Sequence, residues 1–342
     1  MDKLRAGIIG VEGYGAQVLR ELGRIELFEI AAVADQNREL AQHLAERHQA
    51  QAYDDHRSLL VEAKLDVLFL ALPTHLCGPC IQLAAQRAVH LFKQAPLART
   101  VPEAVEWIKL VEKTGRAFHV GAPRRFLPGY LAAHQLLEEG RLGELYLVQA
   151  ESFGAFPAPL GWRGDPLLAG GGVLLEQAYH LLDQVLWNAG PPEQVYALHA
   201  DRGAKRALPP YRTEDTAVLT LKLAAGAIGS LVTSWLTGPP RERLAFFGVE
   251  GGLEVDPADL RLLDPRGELL EEKRFGPVDE SWGVGQQLRH FADCLRDPHV
   301  RSVSTAREHL TNLAVVEAAY LSARTQLPES LKMLHTAAGV AG

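Results

Sequence analysis

Residues 7 to 19, GIIGVEGYGAQVL, join an apolar run to a glycine cluster and then to the start of an apolar helical pattern. A strand, a tight glycine turn and a helix start together make an anion cradle, because the backbone can approach a phosphate and the helix N-terminus attracts it. On a G-x-G-x-x-G template Gly10 and Gly15 fill the first and third places, Glu12 takes the second, and Gly13 is an additional glycine. Glu12 thus brings a side chain and a negative charge to the place where a pyrophosphate would press. Asp35, in AAVADQN, stands about 20 residues further on, where a carboxylate accepts hydrogen bonds from an adenosine ribose. A tight turn with no ligand is the alternative. Tyr14 would either cover the nucleotide or pack on the sheet. Asp35 argues for NAD by repelling a 2′-phosphate, while Arg38 leaves NADP open.

A second cluster, Cys77 and Cys80 in CGPC, has the spacing of a redox dithiol whose first thiol is activated by a helix N-terminus. The chain is several times longer than a thioredoxin fold, and Leu76 stands where that motif usually has Trp. Two small residues at a buried helix start are therefore expected. Cys294, in HFADCLRD, fits the core face of a helix.

These groups need elements to hold them. Strand patterns run over 5–9, 28–34, 67–72, 89–92 and 117–120, with helical patterns at 15–23, 38–48, 77–88 and 101–114 between them. The last helix opens with Thr100 and Glu103 as a capping box. Strand and helix in alternation predict a doubly wound parallel sheet, so the class is α/β. Beyond residue 122 the pattern changes. Helices at 128–140 and 174–188 are followed by LYLVQAESF, QVYALHA, DTAVLTLKL, AIGSLVTSW, RLAFFGV, GLEV and LRLLD, and helices at 283–296 and 305–325 close the chain. Consecutive strands of this kind predict an α+β domain with a large, open, mostly antiparallel sheet. Two domains are expected, 1–122 for nucleotide binding and 123–342 for substrate binding and association.

The 342 residues are 47% apolar and 23% charged with a formal net charge of −7, and no Lys/Arg-rich block stands out. That balance argues against sequence-independent nucleic-acid binding. No apolar stretch approaches the ~20 residues that cross a bilayer, and the start lacks a secretory signal, so a cytoplasmic protein without membrane contact is expected.

In order and spacing, GVEGYG, ALPTHLCGPC, AVHLFKQAPLARTVPEA, GAPRRFLPGY, GWRGDPLLAGGGVLLEQAYHLLD, EDTAVLTLKLAAGAIGSLVTSW and NLAVVEAAYLSA make the chain resemble the Gfo/Idh/MocA family. Its members are NAD(P)-dependent oxidoreductases acting mainly on sugars and cyclitols. The resemblance covers nearly the whole length and implies a Rossmann-type first domain. It also implies a sugar-like small-molecule substrate, and association as a homo-oligomer through the open sheet face around Ala217 to Trp235.

Position by position, the resemblance exposes departures. The family's E-K-P falls on Gln94, Ala95 and Pro96, so its lysine is absent; Lys93 lies two residues away, a possible but poor substitute. The family's D-x-G-x-H falls on Glu176 to His180, which keeps the histidine as acid/base and puts a longer carboxylate four residues before it. Cys77 stands where the family commonly has His. Cofactor contacts are implied for Gly10, Gly13, Tyr14, Gly15, Asp35, Pro73, Thr74 and Gln94, catalysis for His180 and Glu176, and substrate contacts for Arg124, Trp162 and Arg163. Arg125 reads equally well as a surface or interdomain salt-bridge partner. Glu176, His180 and Asp183 make a polar stripe on an apolar helix, expected to face a cleft. The i, i+4 carboxylate and imidazole recur in metal sites, but no third ligand motif accompanies them, so no metal is expected. A catalytically inactive descendant that binds ligand or assembles is the competing reading.

Overall fold

Short apolar runs separated by helical periods fold as parallel strands in the computed structural model, which describes residues 3–155, 160–203, 210–224, 226–276, 278 and 280–332. The first part of the chain is β1 (Leu4–Ile9), α1 (Tyr14–Leu22), β2 (Phe28–Ala34), α2 (Arg38–His48), β3 (Gln51–Tyr53), α3 (His56–Glu62), β4 (Val67–Leu70), α4 (Cys77–Gln86), β5 (His90–Lys93), α5 (Val101–Glu112) and β6 (Phe118–Val120). Its six strands lie in the order β3-β2-β1-β4-β5-β6, each pair parallel. All four residues of β4 are buried, as an apolar run covered on both faces requires. Side-chain caps set the starts of two helices: Asn37 accepts from Leu40 N at 3.1 Å, and Asp55 accepts from Arg57 N at 2.7 Å. The sequence pattern missed β3 and α3, which are short and carry polar and partly exposed residues.

The remainder adds α6 (Pro128–Glu138), β7 (Leu145–Phe153), α7 (Pro166–Ala169), α8 (Val173–Glu176), α9 (Tyr179–Ala189) and β8 (Pro192–Ala200). After these come β9 (Thr216–Leu223), β10 (Ile228–Ser234), β11 (Arg241–Gly248), β12 (Gly251–Val255), β13 (Asp259–Leu263), β14 (Leu269–Arg274), α10 (Glu280–Arg296), α11 (Ala306–Thr325) and β15 (Glu329–Ser330). Nine strands form one sheet, β14-β13-β12-β11-β7-β10-β9-β8-β15. The pair β10/β7 is parallel, with Ile228–Ser234 matched to Leu147–Phe153, and the other pairs are antiparallel. The expected mostly antiparallel sheet is present. In β9, Ala217, Leu219, Leu221 and Leu223 are buried while Val218, Thr220 and Lys222 are exposed, the period-2 signature of a sheet covered on one face.

The chain divides into two compact units. The first holds the six-stranded sheet together with α10, and the second holds the nine-stranded sheet, α6 to α9 and α11 from Leu310 on. The expected boundary after residue 122 did not foresee that α10 returns to the first unit. There Val284, Leu288, Phe291 and Ala292 join the core of β1, β2 and α1, and Phe291 meets Phe69 and Phe92 at ring separations of 6.1 and 5.4 Å. An amphipathic helix pattern reports an apolar face and not which core takes it.

The helix expected over 174–188 is instead two helices. Ala178 N reaches back five residues to Val173 O at 2.9 Å, and α9 restarts at Tyr179. That wider turn breaks the regular 3.6-residue repeat between Glu176 and His180. Among the described residues no helix is long and apolar enough to cross a membrane.

Candidate functional site

In the first unit the glycine turn is fixed by contact. Gly10 has φ +84°, and a Cβ there would stand 2.6 Å from Ala71 O, while a Cβ on Gly15 would stand 2.0 Å from Gly10 O. Neither position tolerates a side chain. Gly13 caps α1 at φ +53°, and a Cβ there would meet nothing within 4 Å. The turn is therefore open above Gly13, as an approaching pyrophosphate needs. Glu12 is exposed, and its carbonyl accepts from Gly15 N at 2.9 Å. Among the described residues the N–H groups of Glu12 and Gly13 make no backbone hydrogen bond.

Asp35 is half-buried beside the turn. Its Oδ2 accepts from Val11 N at 2.8 Å and its Oδ1 from Asn37 N at 2.9 Å. A carboxylate has about four lone-pair sites, so each oxygen retains capacity for a hydroxyl donor. Arg38 pairs with Asp54, an exposed acid that offsets its charge. Two contact-enforced glycines, an open approach and a poised carboxylate fit a dinucleotide, with the Glu12 charge opposing a pyrophosphate at the turn. Tyr14 is anchored within the unit. Its ring lies against the core of the unit, and its hydroxyl accepts from Gln287 Nε2 at 3.2 Å. Gly121 gives that hydroxyl room, since a Cβ there would be 2.9 Å from it.

Pro73 and Thr74 follow β4, and Thr74 is buried. Gln94 follows β5, with its N–H on Leu70 O at 2.9 Å. Lys93 is 1% exposed. Its ammonium donates to Pro96 O at 2.6 Å, Gln94 O at 2.9 Å and Thr74 Oγ1 at 3.4 Å. It therefore holds the carbonyls on both sides of Ala95.

The cysteines are free thiols. Cys77 and Cys80 are buried, and burial with a neighbouring Cys77 pushes the Cys80 thiol up to about 12. A redox dithiol needs an accessible, depressed thiol, so CGPC serves here as the buried start of α4.

In the second unit Arg163 Nε donates to Glu176 Oε2 at 2.8 Å, and the guanidinium lies over the Trp162 ring at 4.3 Å. The other oxygen, Glu176 Oε1, is buried and has no hydrogen-bond partner among the described residues. The expected orienting of His180 by Glu176 gives way to the Arg163 pair, because the break after α8 removes the shared helix face. His180 sits in the first turn of α9, half-buried, its ring centroid 6.2 Å from that of Tyr179.

Arg124 pairs with Glu242, which also accepts from Tyr130 Oη and Ser152 Oγ, each at 3.4 Å. Gln177 Nε2 donates to Ser152 O at 3.0 Å. Gln177, Ser152, Tyr130 and Glu242 escaped the sequence reading. For Ser152 on β7 and Glu242 on β11, a polar residue on a strand with apolar inward positions was the available signal.

Arg125 and Asp183 are a correction. Both side chains are 3% exposed and bound to each other, Nε to Oδ2 at 2.9 Å and Nη2 to Oδ1 at 2.6 Å. Asn312 Nδ2 adds a third donor to Asp183 at 2.7 Å. Arg125 is buried in this pair and not exposed at the surface, and Asp183 faces its guanidinium where a cleft-facing stripe was expected.

A six-stranded parallel sheet with a dinucleotide-type glycine turn, followed by a nine-stranded open sheet carrying a polar cluster, defines a two-unit nucleotide-binding α/β protein. The chain belongs to the Gfo/Idh/MocA family: residues 4–122 match the model described as the oxidoreductase family, NAD-binding Rossmann fold, and residues 130–254 match the GFO/IDH/MocA C-terminal domain. It is 22% identical over 306 residues to myo-inositol 2-dehydrogenase of Thermotoga maritima, covering 88% of this chain and 86% of that one. It is 26% identical over 260 residues to D-glucoside 3-dehydrogenase of Escherichia coli, covering 71% and 73%. An oxidoreductase from Agrobacterium radiobacter, solved with NAD+, L-tartaric acid and magnesium, shares the fold with TM-score 0.87 and 18% identity over 97% of this chain and 100% of that one.

Proposed function

We propose that the chain is a nicotinamide-dinucleotide oxidoreductase acting on a CH–OH group of a sugar, cyclitol or related polyol. The carrying observation is Glu176. One of its oxygens is tied to Arg163 and the other is buried without a partner. An orphaned buried acceptor costs free energy unless a donor arrives, and a substrate hydroxyl is such a donor. The named activities of the inositol and glucoside relatives support the same substrate class.

Gly10, Gly13, Gly15 and Asp35 would hold the dinucleotide, with Pro73, Thr74 and Gln94 along the neighbouring strand ends. Asp35 favours NAD over NADP, and the engagement of Arg38 by Asp54 points the same way. When bound, the nicotinamide supplies the hydride acceptor. His180 takes the hydroxyl proton as the C–H bond breaks, the work of a base poised near neutral pH. Glu176 accepts from a substrate hydroxyl, Arg163 fixes Glu176, and Trp162 and Arg124 line the substrate. With Ala95 in place of the family's lysine, no cation at that position stabilises developing oxyanion character, which lowers the expected turnover. The outer face of the nine-stranded sheet, with Leu198, Val218 and Ile228 exposed, suits association as a homo-oligomer.

Ala95 and Glu12 together favour a second reading, a non-catalytic descendant that retains ligand binding. Dinucleotide titration by calorimetry, followed by assay of a sugar and cyclitol panel, separates the two. Turnover that falls about a hundredfold in His180→Ala supports the first reading. Cofactor binding with a silent panel supports the second, and rates within twofold of the parent remove His180 from the mechanism.

A further inference from the structure

Three successive glycines, Gly170 to Gly172, each make room for a different polar residue. A Cβ on Gly170 would stand 2.7 Å from Arg99 Cβ, one on Gly171 1.9 Å from Tyr320 Oη, and one on Gly172 2.7 Å from Glu214 Oε2. A run that clears three adjacent positions for three polar side chains is a built wall. Those three residues line an open cavity of about 720 Å³ within the second unit, lined also by the end of β8, Arg212 and the second half of α11. Trp162, Arg163, Glu176 and His180 do not line it, so it is separate from the polar cluster described above.

The cavity contains three guanidinium groups, Arg99, Arg212 and Arg324, and three acids, Asp201, Glu214 and Glu317. The acids are largely engaged with the protein. Glu214 accepts from Gly172 N at 2.7 Å, Leu174 N at 3.0 Å and Tyr320 Oη at 2.9 Å. Glu317 accepts from Val101 N at 2.6 Å. Burial pushes both carboxyl groups up from the ordinary carboxylate value, against the hydrogen bonds that favour the charged form. Of the cations, Arg212 is held by Asp165 at 3.0 Å with 67% of its side chain exposed. Arg324 is exposed and has no ion pair among the described residues. Arg99 Nη1 donates to Leu167 O at 2.9 Å. With the Glu214 and Glu317 oxygens already taken by protein donors, the groups left to an incoming molecule are chiefly guanidinium N–H, beside the Asp201 carboxylate.

We propose that this cavity is a second ligand site, selective for a hydroxylated oxyanion, meaning a sugar carrying a phosphate or a carboxylate. The planar guanidinium fork matches either oxyanion in bidentate fashion. Asp201, Thr100 and the His199 imidazole supply partners for hydroxyl groups, and the volume lies within the ordinary range for small-molecule sites. Glu214 links this cavity to the first N–H groups of α8, the short helix that ends at Glu176. The proposal does not depend on His180 or on turnover.

Calorimetric titration of the full chain without dinucleotide, using glucose 6-phosphate, gluconate, inorganic phosphate and glucose, tests it. Binding of either sugar anion is expected, with neutral glucose and inorganic phosphate each weaker by about tenfold, the scale of one lost charge-assisted hydrogen bond. The two sugar anions compared with each other identify the oxyanion. Arg324→Ala and Arg212→Ala should each weaken the bound anion by about tenfold, while Arg163→Ala leaves it unchanged. Circular dichroism checks that the variants fold, and both arginines are exposed enough to expect that they do. Absence of binding by both sugar anions overturns the proposal. So does unchanged affinity in both arginine variants, loss in Arg163→Ala, or inorganic phosphate binding as tightly as the sugar phosphate.

Discussion

Asp183→Asn should be the most costly single-atom change in the second unit. It keeps the shape of the side chain and removes its charge, so that the Arg125 guanidinium, 3% exposed, loses the carboxylate of this pair. Two ionic hydrogen bonds, at 2.6 and 2.9 Å, would become weaker or repulsive amide contacts, and the Asn312 amide at 2.7 Å would lose an ionic acceptor. The Trp187 face, 5.3 Å from Arg125 Cζ, cannot replace a carboxylate. Removing one partner of a buried pair costs about 3–5 kcal/mol, which for a unit of this size lowers Tm by about 6–20 °C. Replacing both partners with apolar residues, Arg125→Met with Asp183→Leu, should cost less than Asp183→Asn, because the two opposite charges of the pair leave together. Urea unfolding followed by tryptophan fluorescence measures both. A single variant within about 0.5 kcal/mol of the parent, the range of ordinary surface substitutions, would refute the reasoning. A double variant less stable than the single would do the same.

Glu12 is exposed and sits at the glycine turn, so Glu12→Gly should leave stability nearly unchanged and tighten dinucleotide binding. The gain is about three- to tenfold at low ionic strength, as expected for one solvent-screened charge facing a pyrophosphate, and it should shrink in 0.5 M salt, a condition chosen to be about a fivefold excess over the usual 0.1 M reference; an unchanged or weaker affinity counts against it. Cys80 is held up to about 12, so its thiolate is scarce at pH 8, and alkylation under native conditions should spare it until the protein unfolds. Rapid native labelling of Cys80, read by mass spectrometry, would reopen the dithiol reading.

Much of the fold could be read from the sequence because period-2 and period-3.6 patterns report which faces are buried. β2, α2 and β7 fall within the expected spans for that reason. What escaped was decided by long-range packing. Phe291 and Leu288 mark an apolar helix face, yet only the assembled core shows that this face lies on α1 and β1. The same limit applied to the site. The residue types at Glu176, His180 and Asp183 were evident, but their partners were not. Asp183 is committed to Arg125, 58 residues earlier in the chain, and Glu176 to Arg163. A five-residue backbone hydrogen bond at Ala178 breaks the helix that would have aligned Glu176 with His180. No pattern of hydrophobicity encodes that choice.

On the proposed reading, in which Ala95 stands in place of the family's lysine, Lys93 supplies a local explanation. The Lys93 ammonium contacts Gln94 O at 2.9 Å and Pro96 O at 2.6 Å, the two carbonyls that bracket Ala95. A second ammonium at residue 95 would start beside a buried cation, with like-charge repulsion added to the cost of fitting a long side chain where alanine is 8% exposed. Lys93 thus holds a positive charge on the backbone around Ala95, and placing a lysine at residue 95 alone should fail. Ala95→Lys is expected to destabilise the first unit and to add no hydride transfer. Lys93→Leu with Ala95→Lys should recover part of that stability, because the remaining ammonium has one buried neighbour fewer, and should show turnover on a sugar panel if His180 still accepts the proton. The comparison is read by thermal unfolding and by nicotinamide absorbance on the same preparations. If Ala95→Lys is as stable as the parent, or if the double variant is the less stable of the two, the two positions do not compete for one charge and Lys93 is a bystander to the loss.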